Sequence, residues 1–141
     1  VQNNGSSFTY DDEMIALANS LTHKTKNDIK QSHDIFRWIR KNIKYREDKR
    51  SKHISYRGAL QVFLDREGVC GEQAALQVTL DRLAGNISYL AEVGDDHACA
   101  LHLSPSGRSI LIDTTSPKGF DIHYKDIKIL SDDHSLARYR E

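Results

Sequence analysis

Cysteine is scarce in this chain, with two among 141 residues, Cys70 and Cys99. That excludes a disulfide framework and a four-ligand structural zinc site, both of which need more thiols. Neither Cys-x-x-Cys nor His-x-x-x-His spacing occurs, so nothing in the spacing supports metal catalysis. A glycine-rich phosphate loop is absent as well. Charge of one sign is not in excess: 20 basic residues face 20 acidic ones. A nucleic-acid or polybasic membrane partner requires a surplus of positive charge, and this balance argues against either. The richest basic stretch, Arg37 to Lys52, also carries Glu47 and Asp48 and reads as a solvated helix end and loop. No apolar run approaches the roughly 20 residues that span a bilayer. The chain opens on Val1 rather than Met. It therefore reads as a processed form or an excised piece of a longer chain, and its compartment stays open.

What is present suits one globular domain, 38% hydrophobic and 28% charged. Residues 1–8 are linker-like, with Asn-Asn-Gly-Ser-Ser inside them, and residues 9–141 form the domain. Thr9 is placed to cap a first helix with Asp11, Asp12 and Glu13 in its first turn and Met14, Ile15, Ala18 and Leu21 on one face. A second helix is expected from about Thr25, with Ile29, Phe36, Ile39 and Ile43 at helical spacing and Trp38 as a core anchor. After a polar loop from Glu47 to Tyr56 comes a short helix over Ala59–Leu64, closed by Gly68. A largely apolar helix then runs from Cys70 to about Leu83, with Gly85 as its stop. Beyond it the period changes to two. Ile87–Val93, His97–Leu103 and Ser109–Thr115 read as strands, with Ser104-Pro105-Ser106-Gly107 as a turn and Ile127–Leu130 as a weaker strand. Helices first and strands second make an α+β domain.

Paired residues across an antiparallel hairpin have numbers that add to a constant. A turn centred on Pro105 sets that constant at about 210 and makes His97 and Asp113 cross-strand partners. Moving the turn by one residue leaves them in diagonal reach. Alternation puts Cys99, Leu101 and Leu103 on the face of His97, and His102 on the other. Cys99 is a small core residue beneath His97. Cys70 follows Gly68-Val69 at a helix start, where unsatisfied N–H groups favour a thiolate and can also hold an oxyanion. Thiol, imidazole and carboxylate in chain order Cys70, His97, Asp113 are a nucleophile, base and orienter set. His23, His33, His53 and His134 read as surface residues, and His123 as a candidate for a pocket edge. Asp95 and Asp96 read as a strand-entry turn, and Glu72 with Gln73 as first-turn chemistry.

The sequence resembles the transglutaminase-like superfamily. The likeness rests on Gly68-Val69-Cys70-Gly71 at a helix start, His97-Ala98 opening a strand, and Ile112-Asp113-Thr114-Thr115 ending the next. Upstream, Trp38 to Tyr45 is similar to the W-x-x-x-N-I-x-Y helix end that precedes this core. The resemblance covers Ile29 to Thr115. It implies a papain-like core in which N-terminal helices, the nucleophile helix among them, pack on a small antiparallel sheet. It also implies Cys70 as nucleophile, His97 as general base and acid and Asp113 as orienter, with no cofactor. The chain departs from the family at Cys99, where many members have Trp, and at Leu83 to Tyr89, where many have Leu-Gly-Ile-Pro-Ala-Arg. Tyr56, Gln61 and Gln73 are the candidates for a side-chain oxyanion donor. The expected activity is thiol-dependent acyl transfer on peptide or side-chain amides of a protein or peptide substrate. Hydrolysis, as a cysteine peptidase or amidase, is favoured over glutamine transglutamination and over a non-catalytic binding role.

Overall fold

The computed structural model describes residues 7–46, 57–94 and 97–132. Residues 1–6 of the linker-like segment, the loop from Glu47 to Tyr56, Asp95, Asp96 and His134 lie outside the described residues. Four helices precede a five-stranded sheet: α1 (Asp12–Thr22), α2 (Asp28–Asn42), α3 (Ala59–Asp65) and α4 (Cys70–Leu83). The two-residue strands β1 (Lys44–Tyr45) and β2 (Glu67–Gly68) pair in parallel just ahead of α4. β3 (Ile87–Val93), β4 (His97–Leu103), β5 (Ser109–Ile112), β6 (Phe120–Ile122) and β7 (Ile127–Ile129) follow. They form an antiparallel sheet in the order β6-β5-β4-β3-β7. The α+β expectation holds.

Two helix starts differ from the sequence reading because a better cap lies nearby. Asp11, not Thr9, caps α1, its carboxylate accepting from the Met14 amide at 3.0 Å. The Thr9 hydroxyl instead accepts from the Leu60 amide at the start of α3. Asn27 caps α2 through the Lys30 amide, while the Thr25 hydroxyl takes the Asn27 amide. Ser7 and Phe8 are buried, Phe8 within a core cluster.

Every residue of α4 from Gly71 to Asp81 is buried, which fixes this helix as the centre of the molecule. Leu76 and Leu80 face Met14, Ala18, Ile35, Ile39, Val62 and Phe63 of the other helices. Ala74, Ala75 and Val78 face Leu90, Ala100, Ile110 and Ile112 of the sheet. Small residues on this second face let the helix lie close to the strands. Trp38 is half-buried, stacked on Phe63 with the Arg66 guanidinium 5.0 Å from its ring centre, as befits an anchor. Among the described residues no helix is long and apolar enough to cross a membrane.

Candidate functional site

The start of α4 is built before it is used. Glu72 is 4% exposed, and its carboxylate accepts from the Val69 amide at 2.9 Å, closing the first turn. The Arg57 guanidinium grips the same carboxylate at 2.9 and 3.0 Å, so the buried charge is paired. Gln73 spends its side-chain N–H groups on the carbonyls of Gly68 and Lys44, and its oxygen accepts from the Thr114 hydroxyl at 3.1 Å. That leaves Gln73 no donor for an oxyanion. Gln61 is exposed and bonded to Asp65 within its own helix, and Tyr56 lies outside the described residues. The backbone amides of Cys70 and Gly71, first in the helix, have no intrahelical acceptor and are the available donors.

His97 and Asp113 meet. His97 Nε2 donates to Asp113 Oδ2 at 3.0 Å. The other carboxylate oxygen accepts from the Thr115 amide at 3.0 Å and its hydroxyl at 2.6 Å. Burial alone pushes the Asp113 carboxyl up, but these bonds and the His97 ring outweigh it and hold its pKa below the ordinary range.

The route to this contact differs from the sequence expectation in one step. Residues paired between β4 and β5 have numbers adding to 212, as in Ala100 with Ile112. The turn is therefore centred one residue past Pro105. β5 also ends at Ile112 rather than Thr115, because Asp113 to Gly119 forms a tight turn. Continuing the ladder by one pair sets Asp113 opposite Cys99, so His97 reaches the carboxylate diagonally.

That turn depends on Gly119. The Asp113 amide donates to the Gly119 carbonyl at 2.7 Å, and a Cβ on residue 119 would stand 1.9 Å from the Asp113 carbonyl oxygen. Every nearby atom is backbone, so nothing can swing aside. Gly119→Ala is expected to cost about 3 kcal/mol in urea unfolding, the upper end for overpacking.

Cys70 is half-buried and both cysteines are free thiols. Three observations bring its helix end to the level of His97. The Arg82 guanidinium donates to the Ser88 carbonyl at 2.8 Å, so β3 starts at the far end of α4 and runs back towards Cys70. The buried His102 and Asp81 side chains bond at 2.7 Å and align β4 with α4. From that pin, the eleven residues back to Cys70 rise about 16 Å along a helix. The five residues back to His97 cover about 16 Å along a strand. The third tie is Thr114 on Gln73, which holds the residue after Asp113 on the first turn of α4. Cys99 senses the resulting crowd: burial, then the charges of Asp113 and Cys70, push its thiol up to about 12. Among the described residues no hydrogen bond joins Cys70 to His97. By alternation His97 lies with Cys99 and Leu101 on the sheet face away from α4, while Ala100 and His102 face the helix.

The other histidines are placed as follows. His23 and His123 are exposed. His33, expected on the surface, is half-buried and packs edge-on against Phe120 with ring centres 4.7 Å apart. A cleft of about 770 Å³ lies along α1, α2 and the turn after Asp113; it is lined by Leu21, Phe36, Trp38, Arg40 and Pro117 but not by Cys70 or His97. Gly119 and Arg57 support the site without having been singled out in the sequence, and Thr115 entered only as the last residue of the Ile112-Asp113-Thr114-Thr115 motif, with no role of its own. Only the Pro117-Lys118-Gly119 run offered a signal, as a turn.

The transglutaminase-like superfamily model matches residues 15–88, more than half of the chain, and the protein belongs to that superfamily. The matched segment includes Cys70 and ends before His97. A solved structure from Cytophaga hutchinsonii, a provisionally assigned cysteine protease, aligns with a TM-score of 0.65 at 24% identity, covering 82% of this chain and 42% of that one. A provisionally assigned protease from Parabacteroides distasonis aligns with a TM-score of 0.53 at 17% identity, covering 79% of this chain and 27% of that one. Both likenesses concern the fold, and this chain spans less than half the length of either protein. No curated protein sequence matches it.

Proposed function

We propose that this chain is a thiol hydrolase acting on peptide or side-chain amide bonds, with Cys70 as nucleophile, His97 as base and acid, and Asp113 as orienter. The observation that carries the reading is the His97–Asp113 bond, whose carboxylate is kept ionised beside Thr115, at the level of a cysteine that opens a helix. With Nε2 donating to Asp113, Nδ1 is the nitrogen left to take the Cys70 proton. The thiolate then attacks the amide carbon, and the Cys70 and Gly71 amides face the developing oxyanion. Nδ1 returns the proton to the leaving amine, which departs as a thioester forms. Water, deprotonated by the same nitrogen, releases the acid and restores the thiol. The protease descriptions of the two structural neighbours support water over an amine as the second nucleophile.

The test is alkylation of Cys70 by iodoacetamide against pH, with Cys99 inert through burial. Cys70 is expected to react well below the free-thiol pKa of about 8.5, and His97→Ala to move the profile up to that value. A profile like that of a free-thiol peptide, unchanged in His97→Ala, would falsify the assignment. Hydrolysis is separated from transfer by offering a peptide mixture with a labelled amine; amine incorporation without cleavage replaces the hydrolase with a transferase.

A further inference from the structure

We infer that His97, Cys99 and Asp113 form a binding site for a thiophilic divalent cation of the zinc class, and that its occupancy switches the thiol chemistry off. The second half rests on the function proposed above; the binding itself does not. One ring nitrogen of His97, the Cys99 sulfur and one carboxylate oxygen of Asp113 all lie within 4.8 Å of one another. A tetrahedral ion with bonds of about 2.0–2.3 Å keeps its ligands roughly 3.3–3.8 Å apart. His97 Nε2 and Asp113 Oδ2 are already 3.0 Å apart, so the ion takes the place of the proton between them and the sulfur closes by about an ångström.

The donor set decides the class of cation. One imidazole, one thiolate and one carboxylate suit a borderline-soft ion and leave a fourth position for water; magnesium and calcium prefer oxygen alone. The supporting shell is in place, since Thr115 fixes Asp113 Oδ1 with two hydrogen bonds and turns Oδ2 towards the ring. Cys99 is fully buried, while the His97 side chain is 32% exposed, so the ion enters past the imidazole. Binding is balanced by one proton: the Cys99 thiol loses its hydrogen to solvent as the sulfur–metal bond forms. The imidazole stays neutral but is forced to carry its hydrogen on Nδ1. A ring with its proton there cannot accept one from Cys70.

Metal-free protein is titrated with Cd²⁺ and with Zn²⁺, reading the ultraviolet thiolate-to-cadmium band and the binding heat of zinc. One equivalent should bind, with the band present in the wild type and in Cys70→Ala. Cys99→Ala should lose the band, and its zinc affinity should fall by about two orders of magnitude, at least what losing an outer-shell partner costs. Zinc should also slow alkylation of Cys70 in the wild type, reversibly with a chelator, but not in Cys99→Ala. A band that survives in Cys99→Ala, or vanishes only in Cys70→Ala, overturns the site, as does failure to bind one equivalent. If Cys70 shows no low-pH reactivity in metal-free protein while the band behaves as stated, the proposed function fails and the metal site stands.

Discussion

Asp113→Asn is expected to lower the rate of casein digestion by about 10³- to 10⁴-fold while leaving the fold and the position of Cys70 intact, the scale seen when an orienting carboxylate becomes an amide. The reason lies in Thr115. Its amide and hydroxyl both donate to Asp113 Oδ1, so an asparagine at this position must aim its single oxygen at them. Its NH₂ group then faces His97. Nε2, which donates to the carboxylate in the wild type, has to become an acceptor. The ring proton moves to Nδ1, and the base for Cys70 is lost. Alkylation of Cys70 should follow digestion, its pH profile rising towards that of a free thiol. Thr115→Val removes one of the two donors, and the double variant should recover part of the rate as the amide gains freedom to turn. Asp113→Asn digesting within fivefold of the wild type would show that the carboxylate does not set the tautomer.

Much of this site was legible because periodic segments carried it. α4, β3 and β4 have the bounds that helical spacing and alternation give them, Cys70–Leu83, Ile87–Val93 and His97–Leu103. Strong apolar periods over seven or more residues leave little freedom in where an element runs. The turn was less legible. Ser104-Pro105-Ser106-Gly107 marks it, but its centre is fixed by the Ser104 amide reaching the Arg108 carbonyl and by Gly107 at φ 97°, neither of which spacing reveals. A one-residue shift changed the meeting of His97 and Asp113 from direct to diagonal, and the longer reach of imidazole absorbed the difference. The same shift set Cys99 against Asp113, so a donor cluster arose that no ligand spacing in the sequence announces. Helix starts failed where several capping residues compete, as Thr9 does with Asp11. His102 was read as pointing away from His97 and no more. Its partners lie 21 and 74 residues away, and a polar residue in mid-strand says that it needs partners without saying which.

Those partners carry the largest expected effect on stability. His102 is wholly buried and bonded through Nδ1 to Asp81 at 2.7 Å and through Nε2 to Asp28 at 2.6 Å. Both acceptors are carboxylates, so both ring nitrogens donate, and only the imidazolium has two N–H groups. Burial pushes the ring's pKa down, but the bonds and charges of Asp81 and Asp28 outweigh it, and the value is raised above 6.5. For Asp28, burial pushes up and the bonds to His102 and Ser104 prevail, lowering it below 3.8. A raised histidine gives stability that is complete below its unfolded pKa and is lost as pH climbs through the folded one. A lowered carboxylate gives stability present above its unfolded pKa and lost as pH falls through the folded one. The triad therefore contributes fully from about pH 4 to 6.5 and fades on either side. Asp81→Ala leaves the buried ring with one partner, and at pH 6 it should cost about 3–5 kcal/mol in urea unfolding. The alkaline fall should shrink with it, since burial is then opposed by Asp28 alone. A variant whose stability curve runs parallel to the wild type's from pH 5 to 8.5 would rule this origin out. The same pin aligns β4 with α4, so loosening it should let Cys70 slide against His97 and blunt its reactivity at pH 6, where the protein is still folded. Reactivity unchanged in folded Asp81→Ala would assign that alignment to the packing of Ala74, Ala75 and Val78 on the sheet instead.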